Sequence, residues 1–367
     1  MKKHLIWVAV LALALLCACG REVAAPLPTA AVTPAPTPSP TPTPPSTLVL
    51  TDESAGEILA LADREYLKSI DATQSREYDA LLALSALLPD CHIFWNYEFG
   101  GELYPSGTEE LTVTDPEGLE EALRFLPGLR KVDMTACLLS TEEMEALSSL
   151  RPDVDFLWTL RFGEWTVRSD ITCFSTLRTG GEDSHRYTSG ELYPLLRFCR
   201  NLRALDLGHN ALTDISLIGQ MSQLQVLILA DNPGLTDISP LASLTELHYL
   251  ELFLCWDIAD FSPLNSLSNI QDLNLSYCRN LADISFIDNM PGFQNGWFRS
   301  TQVLAEDVEP YRESRPEITF IYGSPVDISS VCCGWRSTER NIAIRRAFTN
   351  WRNVAEYRHW DDVEYRT

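Results

Sequence analysis

Leu247-His248-Tyr249-Leu250-Glu251-Leu252 decides how this chain folds, because the same pattern stands at three other places. Leu202-Arg203-Ala204-Leu205-Asp206-Leu207, Leu224-Gln225-Val226-Leu227-Ile228-Leu229 and Ile270-Gln271-Asp272-Leu273-Asn274-Leu275 align with it, and successive starts lie 22, 23 and 23 residues apart. Beyond each block comes Asn or Cys (Asn210, Asn232, Cys255, Cys278), then Leu212, Leu235, Ile258 or Leu281. An Asp, an apolar residue and Ser follow in every copy: Asp214-Ile215-Ser216, Asp237-Ile238-Ser239, Asp260-Phe261-Ser262 and Asp283-Ile284-Ser285. One such unit offers about seven core positions, worth roughly 10–20 kcal/mol gross when buried. Fixing its backbone costs about 1–2 kcal/mol per residue, which is more, so no unit folds alone and neighbours must stack.

Recurrence in register over four consecutive units resembles the bacterial, internalin-like leucine-rich repeats. The resemblance covers residues 202–293 and implies an α/β fold: a right-handed solenoid with a concave parallel sheet, some helical return arms and terminal caps. Two looser copies stand upstream. Leu67-Lys68-Ser69-Ile70-Asp71-Ala72-Thr73 matches Leu129-Arg130-Lys131-Val132-Asp133-Met134-Thr135, and each runs on to a Pro-Asp pair, Pro89-Asp90 or Pro152-Asp153. Tyr78, Leu81, Leu84 and Leu87 in one copy, and Met144, Leu147 and Leu150 in the other, have helical spacing. Alternating, aromatic strands close both copies, at 91–100 and 154–163. Leu111-Thr112-Val113, leading to Leu119, Leu123 and Leu126, predicts a further repeat between them, and 316–322 a closing strand. Glu164–Asp170 reads as one more strand and Thr179–Ser184 as a loop. Ser337 is placed to cap a helix carrying Ile344, Phe348, Trp351 and Ala355 on one face, which predicts a cap over the last repeat.

The ends of the chain speak of export. Met1-Lys2-Lys3-His4 precedes an apolar run from Leu5 to Leu16, too short for the roughly 20 residues of a membrane span. Leu16-Cys17-Ala18-Cys19 resembles the bacterial lipobox, which implies a diacylglycerol on Cys19. Cys19 fits better than Cys17, since cleavage before Cys17 would put Leu16 where a small residue belongs. Pro26–Thr47 is Pro, Thr, Ser and Ala almost throughout, which predicts an extended stalk. The layout is a signal peptide (1–18), lipidated Cys19 with its stalk (19–48), divergent repeats (49–163), a junction (164–201), regular repeats (202–293), a last repeat or cap (294–325) and a helical tail (326–367).

Chemistry is sparse by comparison. A formal net charge of −23 repels nucleic acid and anionic lipid, so membrane attachment falls to the lipid on Cys19. No phosphate loop, dinucleotide turn, zinc helix or nucleophile elbow occurs, and the reading assigns no cofactor, no metal and no catalytic residue. Asp214, Asp237, Asp260 and Asp283 are read as turn caps, one carboxylate per repeat being too few for calcium. Of Cys91, Cys137, Cys173, Cys199, Cys255, Cys278, Cys332 and Cys333, most sit in apolar, strand-like contexts; they are read as buried thiols, with disulfides as the alternative for an even number outside the cytoplasm. Cys173 with His185 is the one pairing a thiol enzyme would use, and no third group beside them orients it.

Side chains alternate faces along a strand, so the variable positions of each block point away from the core. They stack as Ala204, Val226, Tyr249, Asp272; Asp206, Ile228, Glu251, Asn274; Gly208, Ala230, Phe253, Ser276; and His209, Asp231, Leu254, Tyr277. Apolar groups rimmed by acids mark an interaction surface. The partner site is therefore assigned to Asp206, Val226, Ile228, Tyr249, Glu251, Phe253 and Tyr277, and the ligand is expected to be an extracellular protein, peptide or glycan of basic character. The alternative occupant of that face is the chain itself, through the 164–200 loop or the C-terminal tail. The functional expectation is a binding or adhesion lipoprotein at the outer face of the cytoplasmic membrane, in a Gram-positive envelope, with a non-catalytic envelope scaffold as the alternative.

Overall fold

A computed structural model describes residues 45–162, 165–176, 185–323 and 334–349. The expectations for Cys19, nearly all of the stalk, the 179–184 loop, Cys332, Cys333, Trp351 and Ala355 lie outside them. The described residues from Ser46 onward form one compact unit. No helix among the described residues is long and apolar enough to cross a membrane.

Three parallel sheets follow one another along the chain. The first joins β1 (Thr47–Val49), β2 (Ser69–Asp71) and β3 (His92–Phe94), so Thr47 and Leu48, read as the end of the stalk, belong to a strand. A hairpin of β4 (Asn96–Phe99) and β5 (Glu102–Pro105) leads to the second sheet, β6 (Glu110–Thr112), β7 (Lys131–Asp133) and β8 (Asp155–Leu157). A second hairpin, β9 (Thr159–Phe162) and β10 (Trp165–Arg168), leads to the third. That sheet has seven strands in sequence order: β11 (Cys173–Ser175), β12 (Ala204–Asp206), β13 (Val226–Ile228), β14 (Tyr249–Glu251), β15 (Asp272–Asn274), β16 (Asn295–Arg299) and β17 (Thr319–Gly323).

Register along the seven strands is the one the repeat dictates. Leu205, Leu227, Leu250 and Leu273 lie side by side and are fully buried, with Leu207, Leu229, Leu252 and Leu275 equally buried beyond them. The return arms are single 3-10 turns; three begin two residues after the repeated Asp, at Ser239, Ser262 and Ser285, and the first begins at Ile218, four residues after Asp214. Oδ1 of Asp214, Asp237, Asp260 and Asp283 accepts the backbone N–H of Ser216, Ser239, Ser262 and Ser285 at 2.8 Å, as turn capping requires. One rung binds neighbouring repeats. Asn232 donates through Nδ2 to the carbonyls of Leu207 and Leu229, and in the next two repeats the thiols of Cys255 and Cys278 donate to the Leu229 and Leu252 carbonyls at 3.2 and 3.3 Å. The six cysteines among the described residues are buried and free.

Alternation stops one position earlier than the sequence implies. His209, Asp231, Leu254, Tyr277 and Ser300 all have φ between 55° and 66°, the left-handed region. This turn aims each N–H along the stack at the next repeat: Asp231 donates to the Phe253 carbonyl, and Tyr277 to that of Arg299. The fourth outward row is therefore a row of turn residues.

Upstream, the two looser copies carry true helices in their return arms, α2 (Tyr78–Leu87) and α4 (Thr141–Leu150), with α1 (Ala55–Leu59) before them and α3 (Leu119–Phe125) between them. Leu87 and Leu150, read as core, are 57% and 51% exposed, because a three-residue spacing falls short of the 3.6-residue turn and drifts off the buried face. Each copy then folds its closing strand into a hairpin, so the strand predicted over Glu164–Asp170 is β10, antiparallel to β9 and not a solenoid strand. Trp95 and Trp158 fasten the two hairpins alike, each donating its N–H to a buried serine hydroxyl, Ser106 or Ser169, which returns its own backbone N–H. Two further helices, α5 (Ser189–Leu196) and α6 (Ala305–Ser314), complete the return arms, and α7 (Glu339–Thr349) lies in the tail.

Candidate functional site

The open face of the seven-stranded sheet is the candidate site, and the chain's own tail lies on it. One row across the strands runs Cys173, Ala204, Val226, Tyr249, Asp272, Asn295; the next runs Ser175, Asp206, Ile228, Glu251, Asn274, Trp297, Ile321. Over them sits α7. Thr338 caps it, its hydroxyl accepting the Asn341 N–H at 3.2 Å, in the role expected of Ser337. Ile344 and Phe348 stand one turn apart and are buried with Trp335 against Val226, Ile228, Tyr249, Phe253 and Trp297. The helix expected to cap the last repeat covers this face instead, since here its apolar stripe meets apolar side chains.

Aromatic and charged contacts both hold it. Trp335 packs on Tyr249 with ring centroids 5.1 Å apart and edge-on to Trp297 at 5.7 Å. Its indole N–H donates to Oε2 of Glu251 at 3.0 Å. Asn341, fully buried, donates through Nδ2 to the Tyr249 hydroxyl at 2.5 Å, and that hydroxyl lies 3.4 Å from Glu251. Arg340 pairs with Asp272 and also donates to the side-chain oxygen of Gln294 at 3.1 Å. A Cβ on Gly334 would come within 2.4 Å of the Trp297 ring, so the entry to this segment is fitted to the sheet.

Burial shapes the acids beneath. Glu251 is pushed above the usual carboxylate range by desolvation, against the pull of the Arg345 guanidinium and the Trp335 N–H. Asp206 is raised for the same reason, opposed by the Gly208 N–H at 3.0 Å, by Arg345 and by the Ser175 hydroxyl at 3.1 Å.

The expectation that these side chains face solvent is thereby corrected. Asp206, Val226, Ile228, Tyr249, Glu251 and Phe253 are each at most 5% exposed, because the tail removes them from water. Tyr277 belongs to the left-handed turns and is half-buried, edge-on to Phe253 at 5.7 Å. The rim acid Asp231 is taken by Arg186 at 2.6 Å and His209 at 2.9 Å. The thiol dyad does not assemble. Cys173 lies under the tail with its thiol pushed well up by burial, and its charged neighbour is Asp206, whereas the exposed His185 bonds Glu191 at 3.0 Å. A nucleophilic thiol needs the opposite environment. Among the described residues no three His, Cys, Asp or Glu side chains cluster as metal ligands would.

Sequence reasoning missed Trp335, Arg340 and Asn341. The signal available was chemical: an outward face too apolar for water, and an arginine-bearing amphipathic tail in a chain of net charge −23.

Residues 200–243 match the family model for leucine-rich repeats, in two copies. The fold is a leucine-rich-repeat solenoid. No curated protein matches it by sequence. Similar solved structures include an internalin (InlF) of Listeria monocytogenes, 20% identical with a TM-score of 0.34, over 76% of this chain and 66% of that one. Internalin C2 of the same organism is 20% identical with a TM-score of 0.29, over 61% of this chain and 80% of that one. A leucine-rich-repeat protein of Leptospira interrogans is 13% identical with a TM-score of 0.29, over 71% of this chain and 74% of that one.

Proposed function

We propose that the chain is an extracytoplasmic binding protein, held at the outer face of a bacterial membrane by a lipid on Cys19, which takes up a protein or peptide on the open face of its repeats. The observation that carries this reading is the chemistry of that face. Tyr249, Phe253 and Trp297 stand beside Asp206, Glu251 and Asp272 on the side of the sheet opposite the leucine core. Aromatic groups among a few charges are what protein interfaces concentrate at their centres. The face already holds a polypeptide segment by burying a tryptophan and pairing an arginine.

A photo-reactive residue at half-buried Tyr277, beside the covered face, tests the reading in the native envelope. Adducts to one partner from Tyr277, with none from Leu150 on the return arms, are expected. Equal yields from both positions, or none from Tyr277, would remove the face as the binding surface. Cys19→Ala is expected to move the protein out of the membrane fraction. An unacylated wild-type protein with its mature N-terminus elsewhere would sink the anchor.

A further inference from the structure

We propose that the open face is a receptor for a single basic amphipathic helix supplied by another protein, and that residues 334–349 occupy that receptor in cis. The inference rests on the binding reading above and names the class of partner. Its starting point is the unlike chemistry of the two sides of one sheet. The inner side is leucine in register from strand to strand, as a permanent core requires. The outer side buries Asp206, Glu251, Asp272 and Asn274 among aromatics, and a helix is needed to bury them.

Buried carboxylates are a poor way to hold a fold together. Their desolvation offsets much of what their partners return, whereas they discriminate strongly between an occupant that pairs them and one that does not. Glu251 and Asp206 both remain desolvated under the tail. The occupant answers them with an indole N–H from Trp335, a guanidinium from Arg340 on Asp272, and the charge of Arg345. Ile344 and Phe348 then lay an apolar stripe on Val226, Ile228 and their neighbours. A helix laid in a groove by apolar anchors at one-turn spacing, with charges fixing its direction, is a recurrent mode of recognition between proteins. The partner is therefore a segment with an aromatic N–H donor just ahead of its helix, an arginine in the first turn of that helix, and two apolar residues a turn apart beyond it. Tethered in cis, residues 334–349 act at the high effective concentration of a linked segment, so the outside helix must outcompete them.

The test uses the full chain with a labelled peptide of residues 334–349 as the probe. Ile344→Asp and, separately, Arg340→Glu are made to release the chain's own helix. Each is expected to bind the peptide at least about tenfold more tightly than wild type, and Tyr249→Ala added to either is expected to abolish that gain. The cooperative melt of the repeats is expected to persist in both. A released variant that folds but does not take up the peptide overturns the proposal, as does loss of the repeats' melt in both variants, which would make the tail part of the core. Hydrogen exchange on wild type gives a second reading: amides of 339–349 exchanging at least about tenfold faster than those of 249–251 support a displaceable helix, and equal rates overturn it. A stable dimer whose copies exchange tails would assign the receptor to a second copy of this chain and overturn the outside partner. Failure to find any envelope partner would sink the binding reading and with it the outside helix, even where peptide uptake succeeds, whereas failure of peptide uptake sinks this inference alone.

Discussion

Ser300 shows how one backbone angle is set against one hydrogen bond. Its φ of 55° lets its N–H reach the Gly323 carbonyl at 3.0 Å. A non-glycine residue pays about 1–2 kcal/mol there, whereas glycine's extra freedom in the unfolded chain costs about 0.5–1 kcal/mol. Ser300→Gly is therefore expected to stabilise the protein by roughly 0.5–1 kcal/mol, read as a higher denaturation midpoint; an unchanged or lower midpoint would show the angle to be unstrained. Leu250 gives the opposite case. It is fully buried with leucines on both sides, so Leu250→Asp is expected to abolish cooperative melting of the regular repeats, and a wild-type melt would refute the register. Burial also silences two cysteines: Cys199, just beyond α5, and Cys255 of the rung are pushed up to about 12. A thiol reagent at pH 8 is expected to leave both unmodified until denaturant is added.

At the scale of elements, the two hairpins are the parts that depart from a plain solenoid, and each depends on a serine. Ser169 is buried, accepts the Trp158 N–H at 2.9 Å and donates its own backbone N–H to the Trp158 carbonyl. Ser169→Ala strands a buried donor and is expected to cost about 1–3 kcal/mol, with Ser106→Ala behaving alike because its geometry is the same. Equilibrium unfolding in urea measures both, and a loss below a few tenths would show that water replaces the hydroxyl.

Over the whole molecule, pH is expected to act on the repeats and the tail in opposite senses. The carboxyls of Asp71, Asp133, Asp237 and Asp260 are held below their ordinary range, chiefly by N–H and hydroxyl donors in their turns, with burial opposing this at Asp133. Their contribution is present above the usual pKa of about 4 and is lost as pH falls through the lowered values. Glu251 and Asp206 are raised by burial, so the docked state of the protein binds more protons than the undocked one. Docking is then fullest below about pH 4 and weakens as pH rises through the raised values. Around Glu251 stand Trp335, Tyr249, Arg345, Arg336 and Asp206; around Asp206, Ser175, the Gly208 N–H, Arg345 and His209. Protection of the 339–349 amides, corrected for intrinsic exchange, is expected to fall as pH rises above the ordinary carboxylate range while that of 249–251 holds. Protection rising with pH would mean that the ionised acids, paired with the tail's arginines, outweigh their desolvation, and protection independent of pH would mean that these acids do not couple to the tail.

What the sequence determined by itself is whatever recurs. Leucines spaced 22 or 23 residues apart stack because each unit is stabilised only by its neighbours, so register, leucine core, Asp-capped turns and the Asn-or-Cys rung are legible from period alone. The helical return arms of the looser copies are legible for the same reason, apart from Leu87 and Leu150, which drift off the buried stripe. Asp206, Val226, Ile228, Tyr249, Glu251 and Phe253 lie on the sheet's outer side, as alternation along a strand predicts, whereas Tyr277 falls in a left-handed turn. Only the tertiary structure decided whether that side meets water. Trp335 meets Glu251 across 84 residues, and Asn341 meets Tyr249 across 92. Such contacts have no period to betray them; they arise because a basic, aromatic-bearing segment finds the one acidic, aromatic face that pairs its donors, a match that exists only once the repeats have stacked.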